Sequence, residues 1–290
     1  MFFGSIPALI TPFDKESIDF DSFYKIIDWS IKQGSHGFVP CGTTGESPTL
    51  SHVEHNKVIE ECVRMVDKRV PVIAGTGSNN TIEAIEFTNQ AEKNKVDAVL
   101  IVTPYYNKPT QEGLYSHYKK IADSTKLPII IYNIPGRSVV DMSIDTMVKL
   151  SKLKNIIGVK DATNDLLRPL LTRAFMKKDF CYLSGEDGTA VAYLAQGGQG
   201  CISVTANIAP KLCAKLHNNW REKKFEEAFA INLKLAKIHH VLFIESSPGP
   251  VKYAANLIGL CSSETRLPLA PIKDSTRNLV KEAIIEANLL

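Results

Sequence analysis

A chain of 290 residues, 44% hydrophobic and 22% charged, has the makeup of an ordinary soluble globule and is a comfortable length for one α/β barrel. Lys and Arg number 34 against 31 Asp and Glu, a formal net charge of +3, too weak and too interleaved to mark a nucleic-acid surface. No apolar run is long enough to span a membrane, so neither nucleic acid nor membrane is expected as a partner.

The N-terminal stretch is apolar but interrupted by Pro7 and Pro12 and lacks a basic leader, so it reads as a first strand and not as a signal peptide. From there, short apolar runs alternate with helix-length amphipathic ones. Strands are predicted at residues 6–11, 37–41, 70–74, 98–103, 129–133, 156–160, 181–185 and 200–204. Each is nearly all apolar, as expected for parallel strands buried on both faces. Gly34 is placed to stop the first helix. Ser51-His52-Val53-Glu54 has capping-box spacing, and Asn80-Thr81-Ile82-Glu83 resembles it. Eight β/α units predict a closed (β/α)8 TIM barrel over residues 1–225, with a doubly wound open sheet as the alternative. Residues 210–242, 251–258 and 274–288 read as helices, more than a barrel needs, so a small helical C-terminal extension is expected over residues 226–290. The 6 cysteines form no C-x-x-C pair and several lie in apolar runs. They read as reduced core residues of a cytoplasmic protein.

Most lysines lie among charges, but Lys160 ends the run Ile156-Ile157-Gly158-Val159. There an ammonium is poorly solvated, and desolvation favours the neutral amine that attacks carbonyls. The plain alternative is a lysine with a packed stem and a solvated head. The strand ends arbitrate, because barrel enzymes build their sites there. Gly42-Thr43-Thr44-Gly45-Glu46-Ser47 follows the second strand; its glycines allow close backbone approach, and its threonines offer hydroxyls and N–H groups to a carboxylate. Thr103-Pro104-Tyr105-Tyr106 ends the fourth strand, Tyr132 lies in the fifth ahead of Asn133-Ile134-Pro135-Gly136-Arg137, and Gly185-Glu186-Asp187 closes the seventh. Singly these are a turn or a core aromatic; their convergence on one rim points to a site. His52 and His55 share a helix, but nothing nearby completes a ligand set, so no metal is expected. Gly75-Thr76-Gly77-Ser78 lacks the phosphate-loop spacings, so no nucleotide site and no cofactor are expected.

These strings, with Gln111-Glu112-Gly113 and residues 202–207, resemble the dihydrodipicolinate synthase (4-hydroxy-tetrahydrodipicolinate synthase) family over residues 3–289. These are pyruvate-dependent class I aldolases, with N-acetylneuraminate lyase as a relative. The resemblance implies that Lys160 forms an imine with pyruvate, which becomes an enamine and attacks L-aspartate 4-semialdehyde, in lysine and diaminopimelate biosynthesis. It implies Tyr132 as general acid/base, linked through Thr43 to Tyr106 from a neighbouring subunit. Thr44 is implied to hold the pyruvate carboxylate, and Gly185 and Ile202 to line the pocket with main chain. Arg137 is implied to grip the second substrate's carboxylate. Gly136-Arg137 favours a short acidic aldehyde over a polyol; an aldolase or dehydratase of 2-keto-3-deoxy sugar acids is the alternative. A non-catalytic relative is disfavoured, because the lysine, both tyrosines and both threonines are retained. The resemblance further implies a homotetramer (a dimer of dimers) inhibited by L-lysine through Ser47, His52, His55, Asn79, Glu83 and Tyr105 at the tight dimer interface. Two positions depart from the family's usual pattern: Ser247, where asparagine is expected before Pro248, and Pro48, where alanine is common.

Overall fold

The structure is a computed structural model that describes residues 2–176 and 179–290. Among these residues the strands are β1 (Gly4–Pro7), β2 (Phe13–Asp14), β3 (Ser17–Ile18), β4 (Ile73–Gly75), β5 (Ala98–Val102), β6 (Ile129–Asn133), β7 (Ile156–Asp161), β8 (Cys181–Ser184) and β9 (Gly200–Ser203). Seven of them form one parallel sheet in the order β1-β9-β8-β7-β6-β5-β4. The strand expected at residues 37–41 is reduced to two parallel bridges, Ala8 with Val39 and Phe38 with Val72. Pro40 has no N–H to donate, though its carbonyl still accepts from Gly75 N at 2.9 Å, and Cys41 turns into the left-handed region at φ 55, so no bridge forms after Val39. Those two residues still join the sheet's edges: Val39 N donates to Pro7 O at 2.9 Å and Ile73 N to Phe38 O at 2.8 Å. The sheet closes, and the fold is the TIM barrel that the alternation predicts. The hairpin of β2 and β3 was not expected. It turns on Lys15 and Glu16, both left-handed, without the Asn-Gly or Gly signature of such turns.

The helices are α1 (Phe20–Lys32), α2 (His52–Val66), α3 (Thr81–Lys93), α4 (Gln111–Ser124), α5 (Pro135–Ser138), α6 (Ile144–Leu150), α7 (Arg168–Phe175), α8 (Ala190–Ala195), α9 (Pro210–Arg221), α10 (Phe225–Val241), α11 (Gly249–Leu257) and α12 (Asp274–Glu286). Gly34, at φ 95, ends α1 as expected. Ser51 and Glu54 form the capping box of α2, with Glu54 N donating to Ser51 Oγ at 3.2 Å and Ser51 N to Glu54 Oε2 at 2.8 Å. Asn80 caps α3 by accepting from Ile82 N at 3.0 Å. The box is not completed there. Ser78 Oγ takes the Asn80 N–H at 3.0 Å, which leaves the Glu83 carboxylate for other partners. The single helix predicted over residues 210–242 is two helices, α9 and α10. Lys223 is left-handed at φ 62, and Lys224 N donates to Asn219 O at 2.8 Å. Residues 221–224 are all charged and exposed, so continuing the helix there would bury nothing. Helix α9 packs on β1, while α10 packs on α9 and α12, and α11 on α12. No helix among the described residues is long and apolar enough to cross a membrane.

Along each barrel strand alternate side chains face opposite ways. Ile6, Ile73, Leu100, Ile130, Tyr132, Leu183 and Ile202 belong to one cluster, inside the barrel. Val99, Ile101, Ile129 and Ile131 belong to the larger cluster that includes the helices. Burial of each such side chain favours the fold by about 1.5–3 kcal/mol. This alternation decides which residues can reach the site.

Candidate active site

Lys160 and Tyr132 are register partners on β7 and β6, so both point into the barrel near its C-terminal end. Lys160 is 6% exposed, and its Nζ lies 4.1 Å from the centre of the Tyr132 ring. The amine is therefore held against an aromatic face with little water around it. Gly185, at the end of β8, makes room for it: a Cβ there would stand 3.1 Å from Lys160 Cε and 2.7 Å from Ala162 Cβ. Two residues on, Asp187 is buried and binds the end of β9. Its carboxylate accepts from Ser203 Oγ at 2.5 Å, Val204 N at 2.8 Å and Thr205 N at 3.0 Å. These bonds hold β9, with Ile202, against β8. In the sequence Asp187 stands only at the end of Gly185-Glu186-Asp187; nothing there signals this role, since its partners lie 16 to 18 residues away.

A cavity of about 380 Å³ opens beside this pair. Thr43, Tyr132 and Arg137 line one part of it, and Ser47, His52, Glu83 and Tyr105 another. Lys160 adjoins it through Tyr132. The loop carrying the threonines is tight: Gly45 N donates to Gly42 O and Glu46 N to Thr43 O, both at 3.1 Å, and Thr11 Oγ1 donates to Gly45 O at 2.7 Å. A Cβ on Gly45 would lie 3.0 Å from Leu9 O, so close approach requires glycine there. Thr44 is buried and Thr43 half-buried. Arg137 stands exposed on the short α5 turn and has no ion-pair partner among the described residues. The segment after it is pinned by Asn133 Nδ2 donating to Asp141 Oδ1 at 2.7 Å, by Arg168 on Asp141 at 2.9 Å, and by Gln111 Nε2 donating to Asp141 O at 2.8 Å. That bond gives Gln111 a structural job.

The second part of the cavity is built on α2 and α3. Glu83, released from capping, meets His52 Nε2 at 3.0 Å and accepts from Ser78 Oγ. Asn79 Nδ2 donates to Tyr105 O at 3.2 Å, which orders the segment carrying Tyr105. Burial, then the charge of Glu83, pushes the Tyr105 hydroxyl upward. His55 is not the helix-surface residue its spacing allows. It is 2% exposed, pairs through Nε2 with Gly75 O at 2.9 Å and stacks on Phe87 at 4.2 Å. Burial depresses it to about 4, so it is neutral at pH 7. Phe87, on α3, and Leu50, just ahead of α2, also line the cavity; neither was expected. Pro48 lines it as well. Ser247 is buried, and its Oγ has no hydrogen-bond partner among the described residues. Tyr106 stands apart: it is 89% exposed and left-handed at φ 71, and it touches neither part of the cavity. Among the described residues no group of three or more His, Cys, Asp or Glu could hold a metal ion.

Comparison with known proteins places this geometry. The model of the dihydrodipicolinate synthetase family matches residues 1–287. A 4-hydroxy-tetrahydrodipicolinate synthase of Rhodospirillum centenum is 59% identical over 290 residues, with both chains covered in full. The crystal structure of a chloride-inhibited dihydrodipicolinate synthase of Acinetobacter baumannii, complexed with pyruvate, is 46% identical with a TM-score of 0.98 and 100% of both chains covered. That of a dihydrodipicolinate synthase from Cyanidioschyzon merolae with lysine bound is 34% identical, with a TM-score of 0.96, covering 100% of this chain and 99% of that one. With fold, strand-end residues and full-length similarity in agreement, the chain belongs to the dihydrodipicolinate synthetase family.

Proposed function

We propose that this protein is a 4-hydroxy-tetrahydrodipicolinate synthase, a lyase that condenses pyruvate with L-aspartate 4-semialdehyde. The observation that carries the reading is the buried Lys160 amine, 4.1 Å from the Tyr132 ring at the C-terminal end of the barrel. Its neutral form attacks the pyruvate carbonyl; loss of water leaves an imine. Loss of a methyl proton gives the enamine, whose carbon attacks the aldehyde. The semialdehyde's own amino group then displaces the lysine and closes the ring. Each step moves a proton, and Tyr132 is the group at hand, in a relay through Thr43 to Tyr106 of the partner subunit. Positioned transfer of this kind contributes about 10²–10⁴-fold. Thr44 and its loop receive the pyruvate carboxylate, and the main chain at Gly185 and Ile202 bounds the keto end. Arg137, exposed and without an ion-pair partner among the described residues, takes the carboxylate of the semialdehyde.

The exposed Tyr106 supports a site completed by a second copy. Leu167 at the start of α7, and Leu171 and Phe175 along it, at 54%, 37% and 64% exposure, support a second interface and so a dimer of dimers. Free L-lysine is the effector: Glu83 receives an ammonium, and Ser47, His52 and Tyr105 line the same cavity, with Asn79 ordering Tyr105 through its main chain and His55 bracing them from Gly75.

Borohydride added with pyruvate should fix a three-carbon adduct on Lys160, located by peptide mass. An assay with the semialdehyde and with 2-keto-3-deoxy sugar acids should show turnover of the former alone. An adduct on another residue, or turnover of the sugar acids only, overturns the reading.

A further inference from the structure

Glu46 follows the two threonines in the tight loop and lies outside the cavity walls. It is 2% exposed and left-handed at φ 54, a conformation that a residue with a side chain adopts only when its surroundings over-determine it. Both carboxylate oxygens are held from the far end of the chain. Lys252 Nζ on α11 meets Oε1 at 2.5 Å, with side chains 0% and 1% exposed, and Arg266 N donates to Oε2 at 3.0 Å. Lys252 Nζ also donates to Glu264 O at 2.7 Å. The Arg266 side chain binds the Glu54 carboxylate at 2.6 and 3.0 Å and donates to Thr49 O at 2.9 Å. The Phe13 ring is within reach of both cations, its centre 4.0 Å from Lys252 Nζ and 4.4 Å from Arg266 Cζ.

A wholly buried ion pair stabilises a fold poorly, since desolvation offsets most of its attraction and apolar packing of the same volume does as well. What it supplies is direction. A carboxylate held at two oxygens fixes the peptide that bears it, and here that peptide closes the turn Thr43 to Glu46. We infer that Glu46 and Lys252 are positioning residues for the reaction: their buried pair presets the Thr43-Thr44 loop for the keto acid's carboxylate and ties that loop to the C-terminal helices. This rests on the proposed role of the loop in binding pyruvate. Burial lowers the Lys252 ammonium from its ordinary range, opposed by the charge of Glu46, so removing the carboxylate leaves a cation with little reason to stay charged.

The test separates positioning from stability. Lys252→Met alone leaves a buried carboxylate unpaired and should lower the melting temperature sharply. Glu46→Gln combined with Lys252→Met removes both charges at similar volume and should regain most of that loss. Positioning predicts that the double variant nonetheless keeps a pyruvate KM raised at least about 10-fold, with the semialdehyde KM within about 2-fold of wild type. Borohydride trapping at low pyruvate should be slowed in parallel. A double variant that regains stability with a wild-type pyruvate KM overturns the inference, while adduct formation at Lys160 of the wild type would leave the proposed function standing. Absence of that adduct in the wild type overturns both. If the double variant does not fold, Lys252→Arg carries the test: folded protein with a raised pyruvate KM is expected, and an unchanged KM overturns the inference.

Discussion

The Cε of Lys160 lies 3.1 Å from where a Cβ on Gly185 would stand, so a single added methyl group reaches the lysine proposed to form the imine. Gly185→Ala should push that side chain or the end of β8 aside, costing about 1–3 kcal/mol of stability. It should also slow imine formation by roughly 10²-fold, since small misplacements at a reacting centre are expensive; denaturant titration and borohydride trapping read the two effects. Lys160→Ala and Lys160→Arg should both abolish the adduct, because a guanidinium supplies no neutral amine. The role proposed for Arg137 is at the opposite end of the substrate. Arg137→Ala should raise the semialdehyde KM and spare that of pyruvate. A charge-assisted bond contributes about 1.5–3 kcal/mol, roughly 10–150-fold; the exposure of Arg137 to solvent puts the effect in the lower part of that range. Equal effects on both substrates in steady-state assays would remove Arg137 from this role.

Helix α3 is the element in which a local motif yields to a tertiary partner. Asn80 caps its end unaided by Glu83, and Glu83 faces His52 and Ser78 instead. Glu83→Thr should therefore leave the melting temperature nearly unchanged, because the cap survives. It should abolish inhibition by millimolar L-lysine, measured by titration at fixed substrate; a variant inhibited like wild type would return Glu83 to the helix surface. The segment after β5 gives a second test. Tyr106 is exposed and does not line its own chain's cavity, so Lys160→Ala and Tyr106→Phe, each inactive alone, should recover partial activity when refolded together. In a mixed dimer one of two sites contains both wild-type groups. Hybrids that form but stay inactive would place both residues in a single chain's site. Spacing predicted the helix starts at Ser51 and Asn80, because capping is a matter of adjacent residues. It did not predict the break at Lys223, since what decides it is the pair of surfaces that α9 and α10 pack against.

Across the whole molecule, buried imidazoles set the response to acid. Burial holds His55, His117 and His217 each at about 4. The unfolded chain protonates the same groups near ~6.5. Between those values the unfolded state binds more protons, so stability rises with pH there and falls as pH drops from about 6.5 towards 4. The loss should approach about 1–3 kcal/mol per imidazole. Glu54, lowered to about 2 chiefly by its bond to Arg266, acts in a separate window: its contribution is complete above about pH 4.5 and is lost as pH falls towards 2. Urea midpoints at pH 7, 5 and 3, at one protein concentration, should fall in two stages. A flat profile between pH 7 and 5 would mean that these histidines protonate in the folded protein.

The barrel and the placement of Lys160, Tyr132 and Arg137 at its strand ends were legible in the chain because each follows from local pattern: apolar runs at barrel spacing, with polar groups where strands end. The pairing of Lys160 with Tyr132 needed only the strand register. Asp187 bracing β9, His55 under Phe87, and Lys252 and Arg266 gripping Glu46 were not legible. Their partners lie 16 to 220 residues apart, and a lysine in a C-terminal helix has the same local signature whether it faces water or a buried carboxylate. Only packing decides which buried charges meet, because desolvation makes an unpaired one too costly to bury and the partner can come from anywhere in the chain.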